Sequence, residues 1–411
     1  MGAQIGGSTA AEELSRLSDM TDGAEPIRVE EFKARIAHLQ DLMRSAGQDV
    51  AYVHAGTNLH YFTGIDWTPS ERLVGALIPV EGDVLYIAPE FERGTLEGFL
   101  QVEGAIHCWE EHESPFDLVA RHLPDRALSN TAFALDETTP FFISEGLRQA
   151  TVGHAGSGNE ARGRPIVSAG SVFAACRMRK SPAEIALIKR AMKMTMAVQE
   201  AAARILRPGI TAAEVADFIH AAHKAVGSAS GSYFCIVLFG PDTAFPHGVK
   251  SPKALEENEL VLVDTGCKLH HYISDITRTY IFGTASAHQE KVWRDERKAL
   301  DVAFAAARPG SVCGAVDDAV RAFIETENYG PDYKLPGVGH RTGHGIGLDI
   351  HEAPYLLKND RTVLDAGMCF SIEPMLCIPG EFGVRLEDHV YMDETGPNWF
   401  TQPSRAIDDP F

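Results

Sequence analysis

Residues 260–282, LVLVDTGCKLHHYISDITRTYIF, set two apolar stretches on either side of a short polar centre. Leu260 to Val263 reads as a strand ending on Asp264, and Tyr272 to Phe282 as a second strand that carries Asp275. A turn centred between Leu269 and His270 would make the two aspartates cross-strand neighbours on one sheet face. Like charges opposed there are destabilising, and a divalent cation between them would reverse that. The other reading is that one or both are turn or capping aspartates. His270 and His271 fall in the turn and read as solvated side chains, not ligands.

Downstream, Gly343-His344-Gly345-Ile346-Gly347 places a histidine among glycines, which let backbone approach a crowded centre; neutral imidazole is the commonest nitrogen ligand of transition metals. Ser371-Ile372-Glu373-Pro374 and Val384-Arg385-Leu386-Glu387-Asp388 each carry a carboxylate at the polar end of an apolar strand pattern. Such a glutamate is costly to bury unless it is paired or ligated. Asp264, Asp275, His344, Glu373 and Glu387 together make one complete ligand set of mostly oxygen donors.

Around this core the chain reads as two domains with α/β character. Ser181-Pro182-Ala183-Glu184 is a capping box with proline at the first helical position, opening a long helix through Leu206, and Thr211-Ala212-Ala213-Glu214 opens another. Arg207-Pro208-Gly209 recurs as Arg308-Pro309-Gly310, each time after an alanine-rich helix, which suggests an internal duplication within 175–411. Upstream, short apolar runs (Val50 to His54, Val74 to Val80, Val84 to Ala88) alternate with helical segments. The expected organisation is a flexible tail over 1–25, an α/β domain over 26–165 with a linker near Gly153 to Gly163, and a catalytic domain over 175–411.

Bulk properties bound the function. The 411 residues, 45% hydrophobic and 23% charged, suit an ordinary globular protein, and a formal net charge of −20 disfavours nucleic-acid and anionic-membrane partners. Seven scattered cysteines without a CxxC pair fit reduced thiols, and no secretory leader or membrane-length stretch is visible, so a cytoplasmic location is expected.

The runs VDTGCKLHHYISDITRTY (263–280), GHGIGLDIHE (343–352), SIEP (371–374) and GEFGVRLEDHV (380–390), with RMRKSPAEIALIKRA (177–191) ahead of them, resemble the pita-bread metallopeptidases: methionine aminopeptidase, aminopeptidase P and prolidase. The upstream TNLHYFTGI (57–65) resembles the extra creatinase-like N-terminal domain of prolidase and aminopeptidase P. The resemblance implies two divalent metal ions per chain on the five ligands, with Asp275 and Glu387 bridging. Mn²⁺ is the first choice, and Zn²⁺, Co²⁺ or Fe²⁺ are alternatives. It implies hydrolysis of the Xaa-Pro bond by a bridging hydroxide, with Glu373 as proton shuttle, His247 and His351 at the substrate, and Arg385 holding carboxylates in place. Tyr233 and His340 resemble substrate-pocket positions of aminopeptidase P; each could equally be a satisfied core residue. A peptide with proline in second position is the implied partner, and a homodimer the implied assembly.

Two positions leave the family pattern. Proline-specific members commonly carry a tyrosine four residues after the SIEP glutamate, where this chain has Cys377. Some prolidases carry a carboxylate-clamping arginine four residues after the second histidine, where this chain has Tyr355. The first departure requires a shorter or water-filled proton relay, and the second points to an imperfect dipeptide preference resting on another basic group or on pocket length. A prolidase is therefore the leading expectation. Aminopeptidase P action on longer peptides, or elimination or ester cleavage of a small non-peptide substrate on the same fold, are the alternatives. A binding protein without catalysis is disfavoured by the intact ligand set.

Overall fold

The alternation of short apolar runs with helices becomes, over Ile27–Arg177, one unit built on a six-stranded mixed sheet. The computed structural model describes residues 5–123, 132–153 and 165–411; most of the linker expected near Gly153 to Gly163 lies outside them. Sheet order is Gly104–Trp109, Val84–Pro89, Gly75–Pro79, Gln48–His54, Ala132–Leu135 and Ile166–Ser168. The last strand and the helix Gly170–Met178 belong to this fold, because Ile166, Val167 and Ser168 pair in parallel with Phe133, Ala134 and Leu135. Within it the TNLHYFTGI run forms the buried helix Thr57–Thr63, whose Asn58 donates to Asp136 at 2.9 Å. That motif is a packing device here.

The second unit comprises Met1–Pro26 and Met178–Phe411. Both capping boxes form as the sequence predicts, opening helices Pro182–Arg204 and Ala212–Ala225. The duplication is visible in the backbone. Gly209 and Gly310 both take left-handed φ, +79° and +85°, and their N–H groups donate to Leu255 and Leu364 at the same 2.8 Å. Thr211 then bridges Ala254, and Val312 bridges Val363. Each half thus runs helix, RPG turn, helix, strands; the second pair of helices is Ala287–Ala306 and Cys313–Thr326. Three sheets carry the site residues: Ile276–Phe282, Glu259–Leu269 and Ser232–Phe239; a small sheet of Gly337–Val338, Met375–Ile378 and Phe382–Arg385; and the five-stranded sheet containing Gly343–Gly345, Cys369–Ile372 and Asp388–Asp393.

The segment expected to be a flexible tail carries a helix, Ala10–Arg16, with its own capping box at Thr9. Glu13 is fully buried and accepts from Arg204 Nε at 2.7 Å, while Gly6 N–H donates to Ala203. The small, polar composition suggested looseness, but one buried carboxylate paired to a helix arginine anchors the segment.

Sheet and sheet meet at Arg278. Its guanidinium is fully buried, donates to Asp388 Oδ1 at 2.7 Å, and also reaches the carbonyls of Glu387 and Gln402. Replacing it with alanine strands the buried Asp388 charge, so Arg278→Ala should lower stability by about 3–5 kcal/mol in urea unfolding. A loss under about 1 kcal/mol would show that this pair does not hold the sheets together.

Candidate metal centre

Register decides how the two aspartates meet. Thr277 pairs with Asp264 and Ile276 with Thr265, so the hairpin turns between His270 and His271, one residue beyond the sequence expectation. Both histidines take positive φ, 45° and 72°, as a tight two-residue turn requires. Asp264 therefore faces Thr277 and stands diagonal to Asp275, two residues away on the same face, instead of directly opposite. The strand is pinched beside Asp275: a Cβ on Gly266 would lie 1.7 Å from the Ser274 carbonyl oxygen, so only glycine lets the chains approach there.

The other carboxylates arrive from the second half of the duplication. Glu387 follows strand Phe382–Arg385, its N–H donates to the Thr277 carbonyl at 3.1 Å, and Thr277 Oγ1 donates to its carboxylate at 2.7 Å. Glu373 sits just past strand Cys369–Ile372. Ser371 Oγ accepts from the His344 N–H at 2.9 Å and donates to Glu373 at 3.1 Å, which fixes imidazole and carboxylate together. His344 Nε2 lies 3.0 Å from Glu373, 3.8 Å from Asp275 and 3.9 Å from Glu387. Asp275, Glu373 and Glu387 thus converge on His344, and Asp264, Asp275, His344 and Glu387 are buried, with Glu373 partly so.

The tightest group is Asp275, His344, Glu387 and His389, each contributing one donor atom within 4.8 Å of the others. His389 escaped the sequence reading. It stands two positions after Glu387, on the same strand parity, which is the signal that could have found it. It is fully buried, and neither ring nitrogen has a hydrogen-bond partner among the described residues. Burial, then His344, push its pKa well below the usual value, so the ring is neutral and its lone pair free to donate.

Arg385 is the cation of the site, as expected of a residue that holds carboxylates. It contacts Asp264 Oδ2 through Nη2, donates to Thr277 Oγ1 at 3.1 Å and reaches the Pro246 carbonyl at 3.2 Å. One guanidinium cannot satisfy four carboxylates. Asp264 Oδ1, Asp275 Oδ1 and Glu387 Oε1 are buried without a hydrogen-bond partner among the described residues. Burial raises the pKa of Asp275 and Glu387 well above normal, and their acidic neighbours raise them further; Asp264 is raised by burial in spite of Arg385. Glu373 goes the other way. Burial opposes its charge, but His344 outweighs it and holds the carboxylate well below its ordinary range. Orphaned oxygens, crowded negative charge and an imidazole fit divalent cations.

Of the expected substrate residues, His351, His340 and Tyr355 lie beside this cluster, and no contact ties Tyr233 to it among the described residues. His351 lies with its ring 4.2 Å from that of His344; partial burial, then His344 and Arg341, push its pKa down to about 4. His247 is exposed on the turn after Gly240–Ala244 and is one of the charges acting on His351. His340 anchors Nδ1 on the Arg341 carbonyl at 2.6 Å, leaving a buried Nε2 without a partner among the described residues. Tyr233 is 42% exposed beneath the Lys268 ammonium, and Tyr355 pairs across strands with His344. Cys377 is absent from this group: it packs with Leu238, Leu262 and Met375, and burial, then Glu296, push its thiol up to about 11. A proton relay through it is therefore not built.

A carboxyl whose folded pKa exceeds its unfolded value binds its proton more tightly in the folded state. Asp275 and Glu387 therefore oppose folding increasingly as pH rises above their usual 3.8 and 4.5. Glu373, with the opposite shift, favours folding over the same range and offsets part of this. A bound cation removes the penalty. Thermal melts with chelator and with Mn²⁺ should show a metal-dependent gain that is larger at pH 8 than at pH 5, about 2.7 kcal/mol at a hundredfold excess over Kd. An equal gain at both pH values would separate metal binding from these carboxylates.

With this geometry in place, comparison with known proteins is direct. Residues 186–394 match metallopeptidase family M24, and residues 35–179 match the creatinase/prolidase N-terminal domain. The chain is 32% identical to "Putative dipeptidase YkvY" of Bacillus subtilis over 90% of its own length and 97% of that protein. Among solved structures, a dipeptidase from Mycobacterium ulcerans superposes with a TM-score of 0.81 at 30% identity, covering 92% of this chain and 97% of the other. A prolidase from Thermococcus sibiricus gives 0.79 at 28%, covering 91% and 98%. The chain belongs to metallopeptidase family M24, in the pita-bread branch that carries a creatinase/prolidase N-terminal domain.

Proposed function

We propose that this peptidase hydrolyses the Xaa-Pro bond, dipeptides foremost, at a dinuclear centre held by Asp264, Asp275, His344, Glu373 and Glu387. One observation carries the reading: buried carboxylate oxygens without partners converge on an imidazole in a chain whose full-length relatives include a dipeptidase and a prolidase. When bound, two divalent ions supply a water of lowered pKa and electrophilic assistance to the scissile carbonyl.

The chain's own groups do the rest. Glu373 stays ionised beside His344, so it can take a proton from water and pass it to the proline nitrogen as the bond breaks. His351, neutral and partly exposed at the rim, offers its N–H to the oxyanion that develops on the former carbonyl. His340 directs its unpaired Nε2 into the same region, where Glu373 is among the charges it feels. Arg385, bound to Asp264, Thr277 and the Pro246 carbonyl, fixes the carboxylates and takes no part in proton transfer.

Glu373→Gln should lower kcat at least about 100-fold while leaving the protein folded, because the amide cannot accept the proton; a near wild-type kcat would remove Glu373 from that role. Elemental analysis of metal-reloaded protein should give two divalent ions per chain, and full activity with only one would refute the dinuclear mechanism. Assays with Mn²⁺ should show cleavage of Xaa-Pro dipeptides above Xaa-Pro tripeptides and non-proline dipeptides. Faster cleavage of the tripeptides would favour an aminopeptidase instead.

A further inference from the structure

Xaa-Pro dipeptides end in a carboxylate close to the scissile bond, yet the position where some relatives place an arginine is Tyr355. Arg385, the buried cation at the metal ligands, is held on Asp264, Thr277 and the Pro246 carbonyl. Two other basic side chains stack on tyrosines expected at the substrate. Lys268 lies 4.3 Å from the Tyr233 ring centroid, but it stands four residues along the Asp264 strand, roughly 13 Å at strand rise. That exceeds the length of a dipeptide.

Arg341 is placed differently. Its guanidinium carbon lies 4.8 Å from the ring centroid of Tyr355, and Tyr355 is the cross-strand partner of His344. Opposed residues of an antiparallel pair share a face, so the tyrosine ring carries the guanidinium onto the His344 side of the sheet. The backbone beneath is rigid. Arg321 Nη2 donates to the His340 carbonyl at 2.8 Å, Thr342 N–H donates to Leu356, and Thr342 Oγ1 donates to Asp317 at 2.7 Å. Among the described residues Arg341 has no carboxylate partner. A guanidinium stacked on a ring keeps its N–H edges free for a planar, two-point grip on a carboxylate.

We propose that Arg341, seated on Tyr355, is the specificity cation that receives a substrate carboxylate, foremost the C-terminal carboxylate of an Xaa-Pro dipeptide. This rests on the proposed peptidase function. Tyr355 then supplies the seat for the clamp, the cation coming from the neighbouring strand segment.

The test uses the full chain with Mn²⁺ and three substrates: Ala-Pro, its C-terminal amide, and Glu-Pro. Wild type should favour Ala-Pro over the amide by roughly 10- to 100-fold in kcat/KM, chiefly through KM, as expected for losing a charged hydrogen bond. Arg341→Met should erase that ratio while the amide's own kcat/KM stays near wild type; Arg341→Lys should restore part of it, and Lys268→Met should leave it intact. A loss confined to Glu-Pro keeps Arg341 as the carboxylate receptor but assigns it the side chain of the first residue. Equal losses on all three substrates, or an unchanged ratio in Arg341→Met, overturn the proposal. If wild type cleaves none of them, the peptidase reading fails by itself. Calorimetric binding of the same ligands then judges Arg341: tighter binding of Ala-Pro than of its amide, lost in Arg341→Met, supports it, and equal affinities overturn it.

Discussion

Four carboxylates crowded together, three of them buried, with one arginine to answer them, set the terms for this fold. Asp264, Asp275 and Glu387 each keep an oxygen without a partner among the described residues, and burial drives all three toward the protonated form. A fold does not keep such a group unless something outside the chain compensates it. The surrounding architecture serves to hold the carboxylates against their repulsion. The Thr277 hydroxyl and carbonyl grip Glu387, Ser371 couples Glu373 to His344, and Arg278 with Asp388 locks the strand behind them. The tension is local, and metal binding is the event that relieves it.

Much of this was legible in the sequence because burial of a charge leaves a mark. Glu373, Glu387 and Asp264 are carboxylates embedded in apolar strand patterns, and the glycines around His344 announce close backbone approach; a Cβ on Gly343 would lie 2.0 Å from the Ser371 carbonyl oxygen. The hairpin turns one residue further along than the apolar pattern implies, which sets Asp264 diagonal to Asp275 and not opposite it, a shift of two positions that preserves the face. What stayed hidden depends on long-range pairing. His389 looks like any strand residue until Asp275 is brought beside it, and the polar segment before Pro26 looks loose until Arg204 meets Glu13.

Cys377 and Tyr355 show how position and role separate. The thiol occupies a position where relatives carry a phenol, but it faces Leu238, Leu262 and Met375 and remains protonated, so it acts as a small apolar side chain. Tyr355 occupies a position where some prolidases carry a cation, and here the phenol ring instead seats the Arg341 guanidinium.

The duplication explains why the site lies where it does. Each half runs through the same helix, RPG turn, helix and strand order, with Gly209 and Gly310 making equivalent bonds to Leu255 and Leu364. Each half then contributes two carboxylates, Asp264 and Asp275 from the first, Glu373 and Glu387 from the second. Where the two strand layers meet, at the Thr277–Glu387 bridge, Asp264, Asp275 and Glu387 are buried together, with the partly buried Glu373 among them. Metal affinity in this chain is therefore a property of how the two halves close on each other, and a residue such as Arg278 governs the centre through that closure without touching the cations.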